Sequence, residues 1–236
     1  MDRALIDRLA AARAAHRAVV VATDLGSGER TWIENGSAAG PVTVDGAILA
    51  AAAAAQRDDK SQTVETGDGR RLFLHVFNPP LRLMVVGAVH IAQSLAPMAA
   101  LAGYAVTVID PRGSFATADR FPGINLTDDW PDEALAALKP DSRTAVVTLT
   151  HDPKLDDPAL HSALRSGCFY VGSLGSRRTH ASRVERLKQA GFDDPQIGRI
   201  HGPIGLDIGA KSPSEIALAI MAEITATLRR PQAAAA

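Results

Sequence analysis

Two glycine-bearing turns and a scatter of histidines and acids carry the chemistry open to this chain. The stretch GSLGSRRTH (172–180) places Gly172 and Gly175, which permit unusual backbone angles, ahead of Ser176 as a helix cap. Arg177 and Arg178 add two cations beside the first helical turn. Backbone N–H donors, the helix dipole and guanidinium groups together favour a phosphate or other oxyanion. The plainer alternative is a solvated basic helix start. The stretch RLMVVGAVHIAQSLA (82–96) reads as buried strand, glycine turn and helix, the entry to a dinucleotide site. Gly87 ends the strand. Val89 stands where a second glycine would let a pyrophosphate approach, so it either crowds a diphosphate or closes the site. His90 is a ligand contact or an ordinary helix-start histidine. Asp110 ends the second strand, where an acid accepts hydrogen bonds from a ribose hydroxyl, and Arg112 follows as an anion contact.

Two further loops bear polar clusters. THDPKLDD (150–157) sets His151 and Asp152 after a strand, either facing the ligand crevice or forming a capped turn. RIHGPIGLDIGA (199–210) sets His201, Gly202, Gly205 and Asp207 before the last helix. His90, His151 and His201 can thus converge with several acids. They lack metal-ligand spacing, so no structural metal is expected. Cys168 reads as a small buried hydrophobe, or as a sulfur-handling thiol if it is exposed with a lowered pKa. There is no G-x-S-x-G elbow, no P-loop and no hydrolase triad spacing, and no catalytic residue is assigned.

These loops need a sheet to position them. Residues 2–17 have helical spacing, with Ala4, Leu5, Leu9 and Ala12 on one face. AVVVAT (18–23), RTWIE (30–34) and RRLFLHVF (70–77) read as strands, and DGAILAAAAAAQRD (45–58) as a helix. NPP (78–80) breaks the backbone. Residues 1–80 are therefore expected to form a small mixed α+β module. From Leu81 short apolar strands alternate with helices: strands at 81–87, 104–110, 144–150 and 168–175, helices at 88–103, 128–139, 156–167, 176–191 and 212–228. That alternation predicts an α/β fold, a Rossmann-like parallel sheet covered on both faces, over residues 81–230. Ser212, Pro213 and Glu215 spell a capping box at the start of the last helix. The tail RRPQAAAA is expected to fray.

Composition bounds the function. Hydrophobic residues make up 46% of 236, enough for a sizeable core without metals or disulfides. A formal net charge of −1 and no long basic run argue against nucleic acid as a partner. A single cysteine excludes an internal disulfide and fits a reducing compartment. No stretch of about 18 uninterrupted apolar residues suggests a membrane span. The N-terminus has no apolar signal core, so a cytoplasmic location is expected.

The segments together resemble the XdhC/CoxI family, accessory proteins of molybdenum hydroxylases such as xanthine dehydrogenase. The matching pieces are NPPLRLMVVGAVHIAQSLAPMAALAGYAVTVIDPRGSFATADRFPG, TLTHDPKLDDPAL, YVGSLGSRRTHASRVERLKQAG and RIHGPIGLDIGAKSPSEIALAIMAEI, covering most of residues 78–224. YVGSLGSRR with PIGLDIGAKSPSEIA is a specific combination; the first loop alone is not. The resemblance implies a Rossmann-like domain that binds molybdenum cofactor, as molybdopterin or its cytidine dinucleotide form. It implies a chaperone without turnover of its own, often dimeric. Such a chaperone holds the cofactor while a cysteine desulfurase installs its sulfido ligand, then delivers it to the apo molybdenum hydroxylase subunit. This chain departs from the family in two places. The usual G-x-G-H of the first loop is Gly87-Ala88-Val89-His90 here. The N-terminal Gly-Ser-x-Pro-Arg and Gly-Gly-Cys elements are at best a remnant in GSGERTWIENGS. A physically consistent reading puts the phosphate at Gly172–Arg178, a pterin amine or ribose on Asp110, and the metal end near His90, His151 or His201. The competing readings are an NAD-dependent oxidoreductase on the same fold and a purely structural scaffold protein.

Overall fold

The computed structural model describes residues 3–229; residues 1–2 and 230–236, most of the tail expected to fray, lie outside the described residues. The chain divides between Pro79 and Pro80 into two compact units. The first contains α1 (Arg3–Ala14), β1 (Val19–Asp24), β2 (Arg30–Glu34), β3 (Ser37–Ala39), α2 (Gly46–Arg57), β4 (Gln62–Glu65) and β5 (Arg71–Phe77). Its five strands pair antiparallel in the order β3-β2-β1-β5-β4. Alternation along β1 sends Val20 and Ala22 to one face with Leu72, Leu74 and the α2 residues Ile48 and Ala52, and Val19 and Val21 to the other with Trp32 and Ala12 of α1. Asp45 starts α2 by accepting the Ile48 N–H at 2.9 Å. The strands β3 and β4 carry no sequence signal because they are short edge strands of small or polar residues with little apolar surface to bury.

The second unit runs through β6 (Leu81–Val86), α3 (His90–Leu101), β7 (Tyr104–Ile109), β8 (Asn125–Thr127), α4 (Pro131–Leu138) and β9 (Thr144–Thr148). It continues with α5 (Pro153–Arg165), β10 (Tyr170–Ser173), α6 (Arg177–Gln189), α7 (Asp194–Ile197), β11 (Ile200–His201) and α8 (Pro213–Arg229). All six strands are parallel, in the order β11-β10-β9-β6-β7-β8. The chain winds outward from β6 to β8, returns beside β6 as β9, and winds outward again. That is the Rossmann order, and it leaves a topological switch point between β6 and β9.

Both faces of this sheet are covered, as the unbroken apolar strands require. Leu83, Val85, Val106 and Val147 pack under α3 and α8 with Leu95, Ala96, Ile220 and Ile224. Met84, Val86, Val146 and Val171 pack on the opposite face under α4, α5 and α6 with Leu135, Leu160, Leu164 and Leu187. A fully buried leucine such as Leu160 contributes roughly 1.5–3 kcal/mol by leaving water. Cys168 belongs to this second cluster: it is 4% exposed, its thiol donates to the Ala163 carbonyl at 3.3 Å, and burial pushes its pKa up. A sulfur-handling thiol needs the opposite, exposure and a lowered pKa.

One helix starts earlier than the sequence pattern suggests. The α5 helix begins at Pro153 rather than Asp156, because Asp152 caps it through a bond from the Lys154 N–H at 3.0 Å and Pro153 suits the first helical position. The short β8, α7 and β11 add to the expected elements; each is too brief to show a period. No described helix is long and apolar enough to cross a membrane.

The capping box at α8 is formed as its residues suggest. The Ser212 N–H donates to Glu215 Oε2 at 2.8 Å, and the Glu215 N–H donates to Ser212 Oγ at 3.3 Å. Replacing Ser212 by alanine is expected to cost about 1 kcal/mol, read as a lowered urea midpoint by circular dichroism. An unchanged midpoint would mean that packing against α3 alone holds the helix start.

Candidate functional site

The C-terminal ends of β6, β9 and β10 carry the loops that a sheet of this order offers to a ligand. At the end of β6, Gly87 has φ +107°, and a Cβ built there would lie 2.6 Å from Thr150 Cγ2. The first loop therefore presses directly onto the segment after β9, and only glycine fits. Thr150 passes this contact on. Its Oγ1 donates to Asp156 Oδ1 at 2.7 Å and accepts the Asp152 N–H at 3.0 Å. Between β9 and β10 the buried hydroxyls of Thr148 and Ser173 share a hydrogen bond at 2.5 Å.

Asp110 ends β7 and is fully buried. Its Oδ2 accepts the Ala88 N–H at 2.8 Å and Arg112 Nη2 at 2.7 Å; its Oδ1 accepts the Arg112 N–H at 3.0 Å and Nε at 2.8 Å. Burial raises its pKa, and the bonds from Arg112 and Ala88 more than offset this, so the carboxyl sits below its usual value. All four lone-pair directions are occupied, so a ribose or pterin amine would have to displace an existing bond. Arg112 also stacks over the Phe115 ring, 4.4 Å from its centroid.

The loop after β10 departs from the expected geometry at one glycine. Gly175 does take a left-handed angle, φ +144°. Gly172 instead lies within β10 and is needed for space, since a Cβ there would come within 2.5 Å of Ile204 Cδ1. Ser176 caps α6 by accepting the Thr179 N–H at 3.1 Å. Arg177 points to solvent, whereas Arg178 lines a cavity of about 260 Å³ between the first turns of α5 and α6. His151, at φ +62°, and Pro153 and Asp156 form one wall; Arg178, Thr179, Ser182, Arg183 and Arg186 form the other. Arg186 is clamped to Asp157 by bonds of 2.6 and 2.9 Å. Arg183 is 1% exposed; its Nη2 donates to the Leu174 carbonyl at 2.9 Å, and its Nε has no hydrogen-bond partner. Three guanidinium groups line this cavity against one cavity-wall carboxylate, and one of the three, Arg186, is already paired with Asp157.

The remaining candidates are spread along the same sheet edge. His90 is the first residue of α3 and exposed; Asp207 is exposed in the loop after β11. His201 stacks on Tyr170 at 4.5 Å, with its Nδ1 3.2 Å from Glu223 Oε1. Tyr170 Oη and the Gly205 N–H donate to Glu223 Oε2 at 2.5 and 2.8 Å. The cavity thus gathers His151 and Arg178 from the expected set. It adds Asp156, Arg183 and Arg186, which sequence reasoning misses, as it misses Glu223. A signal exists for two of them: Arg183 lies one turn before the buried Leu187, and Glu223 is the one acid beyond the first turn of an apolar helix. No group of three or more His, Cys, Asp or Glu able to hold a metal ion occurs among the described residues. A larger, mainly apolar cavity of about 750 Å³ lies in the first unit under α1, lined by Leu5, Leu9, Phe73 and Phe77 among others, and contains none of the candidate residues.

Two outcomes follow from this geometry. Gly87→Ala should destabilise the protein by about 1–3 kcal/mol, and adding Thr150→Ser should recover the steric part by removing Cγ2, leaving the backbone strain; urea unfolding of the double-mutant cycle measures both. Full additivity of the two substitutions would show that the close approach does not matter. Burial raises the Glu223 pKa, but bonds from His201, Tyr170 and Gly205 prevail and hold it below the usual value. The contribution of Glu223 should therefore be fully present above about pH 4.5 and fade as pH falls through its lower folded value. The difference in urea midpoint between the native protein and Glu223→Gln should shrink correspondingly in acid.

Comparison with known proteins matches this architecture. A family model described as the XdhC Rossmann domain matches residues 83–224. The molybdenum cofactor insertion chaperone PaoD of Escherichia coli (strain K12) is 32% identical over 148 residues, 63% of this chain and 40% of that protein. A probable xanthine dehydrogenase subunit from Bacillus subtilis (strain 168) is 32% identical over 160 residues, 67% of this chain and 46% of that protein. The chain thus spans less than half the length of these curated relatives. A crystal structure described as a xanthine dehydrogenase from Bacillus halodurans superposes with a TM-score of 0.72 at 24% identity, over 96% of this chain and 67% of that one, a likeness of fold. With more than half of its length matched by the family model, and with the strand order such a domain requires, the chain belongs to the XdhC family.

Proposed function

We propose that this protein carries molybdenum cofactor for a molybdenum hydroxylase of the xanthine dehydrogenase type. In this reading it is a cytoplasmic homodimer without turnover of its own. It holds the cofactor while a cysteine desulfurase supplies the sulfido ligand, then releases it to the apo-enzyme. The observation that carries the reading is the arginine-walled cavity at the C-terminal edge of the Rossmann sheet, in a chain whose relatives include a molybdenum cofactor insertion chaperone. The cargo is a pterin bearing a phosphate and a metal centre. At about 260 Å³ the cavity is smaller than a typical site for a whole small molecule, so it suits the phosphate end. Arg178, Arg183 and His151 hold that end; Gly172, Gly175, Ser176 and Arg177 shape and charge the loop around it. Gly87, Asp110 and Arg112 set the first loop along which the pterin lies. His90, His201 and Asp207 border the metal end; among the described residues no cluster of metal donors surrounds them, in keeping with a reversible grip.

An NAD-dependent oxidoreductase would need Asp110 free for a ribose, and that carboxylate is committed to Ala88 and Arg112. The test is titration with anaerobically prepared molybdenum cofactor, followed by assay of the retained fraction for molybdenum and for the fluorescent oxidised pterin. Stoichiometric retention is expected. Arg178→Ala should weaken it about tenfold, while Arg177→Ala, outside the cavity, should change it little. No retention, alongside thermal stabilisation by NAD, would overturn the proposal.

A further inference from the structure

One wall of the arginine cavity is the wrong sign for a general anion site. Asp156 is 2% exposed, and its Oδ1 accepts the Thr150 hydroxyl at 2.7 Å and the Thr150 N–H at 3.4 Å. Its Oδ2 accepts no hydrogen bond among the described residues. Arg183, which lines the same cavity, has a buried Nε–H without a partner. The cavity therefore combines one unused charged donor with one unused charged acceptor, each costly to leave unmet. Arg178 adds further donors, and the Arg186 guanidinium is already clamped to Asp157. Burial disfavours the ionised form of Asp156 and raises its pKa, while the Thr150 bonds and the nearby Arg183 guanidinium oppose this.

An anion with only bare oxygens satisfies the arginines but sets like charge against Asp156. Sulfate, molybdate and the diester diphosphate of a dinucleotide are of this kind near neutral pH. An anion that also carries a hydroxyl satisfies both walls. Inorganic phosphate does so near neutrality, and so does a phosphate monoester, whose second ionisation falls at about pH 6. We propose that this cavity is a phosphate-monoester site that selects its ligand through one proton shared between Asp156 Oδ2 and a phosphate oxygen, with Arg183 Nε and Arg178 donating to the others. No bond is made or broken beyond that proton's hydrogen bond. Resting on the cargo reading for the owner of the phosphate, the inference makes the mononucleotide form of the cofactor the ligand, seated phosphate-inward, and disfavours the dinucleotide form. It equally describes a site for free phosphate.

Isothermal titration calorimetry at pH 6.5 in a non-phosphate buffer tests it, with inorganic phosphate, sulfate, cytidine monophosphate and the diester diphosphate CDP-choline as probes. Phosphate is expected to bind about tenfold or more tighter than sulfate, and the monoester similarly tighter than the diester. Asp156→Asn, which keeps the Thr150 bond through its carbonyl oxygen, should erase both preferences by strengthening sulfate and CDP-choline. Arg183→Lys should weaken every probe. Equal binding of phosphate and sulfate by the native protein, or binding of neither, would overturn the inference even if Asp156→Asn failed to fold. Binding of phosphate but not of cytidine monophosphate would assign the site to the free ion. Cofactor retention without phosphate selectivity would sink this inference and leave the cargo reading standing; selectivity without retention would do the reverse.

Discussion

The β6–β9 ladder joins the two halves of the Rossmann sheet, and the close approach of Gly87 to Thr150 just beyond it organises the polar edge of the domain. A parallel sheet that winds outward twice from its centre leaves a crevice beyond the C-terminal ends of β6 and β9, where the loops that follow them diverge. Here that crevice is narrowed to van der Waals contact, because Gly87 has no Cβ to hold the Thr150 methyl away. Thr150 then turns its hydroxyl to Asp156 and Asp152. The first of those acids forms a cavity wall and the second caps α5. One missing methyl group thus places the loop after β6, the start of α5 and the acid of the anion cavity in a single register.

Burial gives three acids of the domain three different fates. Asp110 is spent internally on the Ala88 N–H and the Arg112 fork, which stiffens the first loop. Glu223 is spent on Tyr170, Gly205 and His201, which ties the edge strand β11 to α8; burial and the nearby Glu223 in turn push the Tyr170 hydroxyl well above its usual pKa. Asp156 alone keeps an oxygen unused beside a cavity. Carboxylates taken out of water need partners, and the unfilled capacity at Asp156 and Arg183 is what the proposed phosphate would complete. The same logic separates Arg178 from Arg177. They are adjacent in sequence and equally charged, but consecutive helical residues point about 100° apart, so only one faces the cavity.

A Rossmann frame does not specify a dinucleotide. In this chain the feature that usually does, a glycine-lined first loop with a free acid after the second strand, is altered twice over: Val89 occupies the second glycine's place and Asp110 is consumed. The arginine-lined cavity lies instead across the switch point, at α5 and α6. A shift of this kind suits a carrier, because a pocket on helix starts, without a metal-binding cluster among the described residues, grips through charge and hydrogen bonds that can be released to a partner.

Much of this is legible from residue order alone, because the information is local. Apolar runs with no alternation specify strands buried on both faces. Ser212 and Glu215 form their box because three-residue spacing brings them together in any helix. YVGSLGSRR with PIGLDIGAKSPSEIA identifies the family without any three-dimensional argument. The edge strands β3 and β4 and the short β8, α7 and β11 escape because they are too brief or bury too little to leave a period. The site is less legible, for a different reason. Asp110 occupies the expected position, but that its lone pairs are already used depends on where Ala88 and Arg112 fall once β6 and β7 pair. Gly172 reads as a flexible residue and proves to be a space-making one, because Ile204 arrives from a distant loop. Arg183 and Asp156 lie on separate helices and meet only when β9 and β10 pair in register. Sequence by itself determined the longer elements, the family and which loops follow the strands of the parallel sheet. Only the tertiary structure decided which charges are spent and which are open, because partnering is a property of groups brought together from distant parts of the chain.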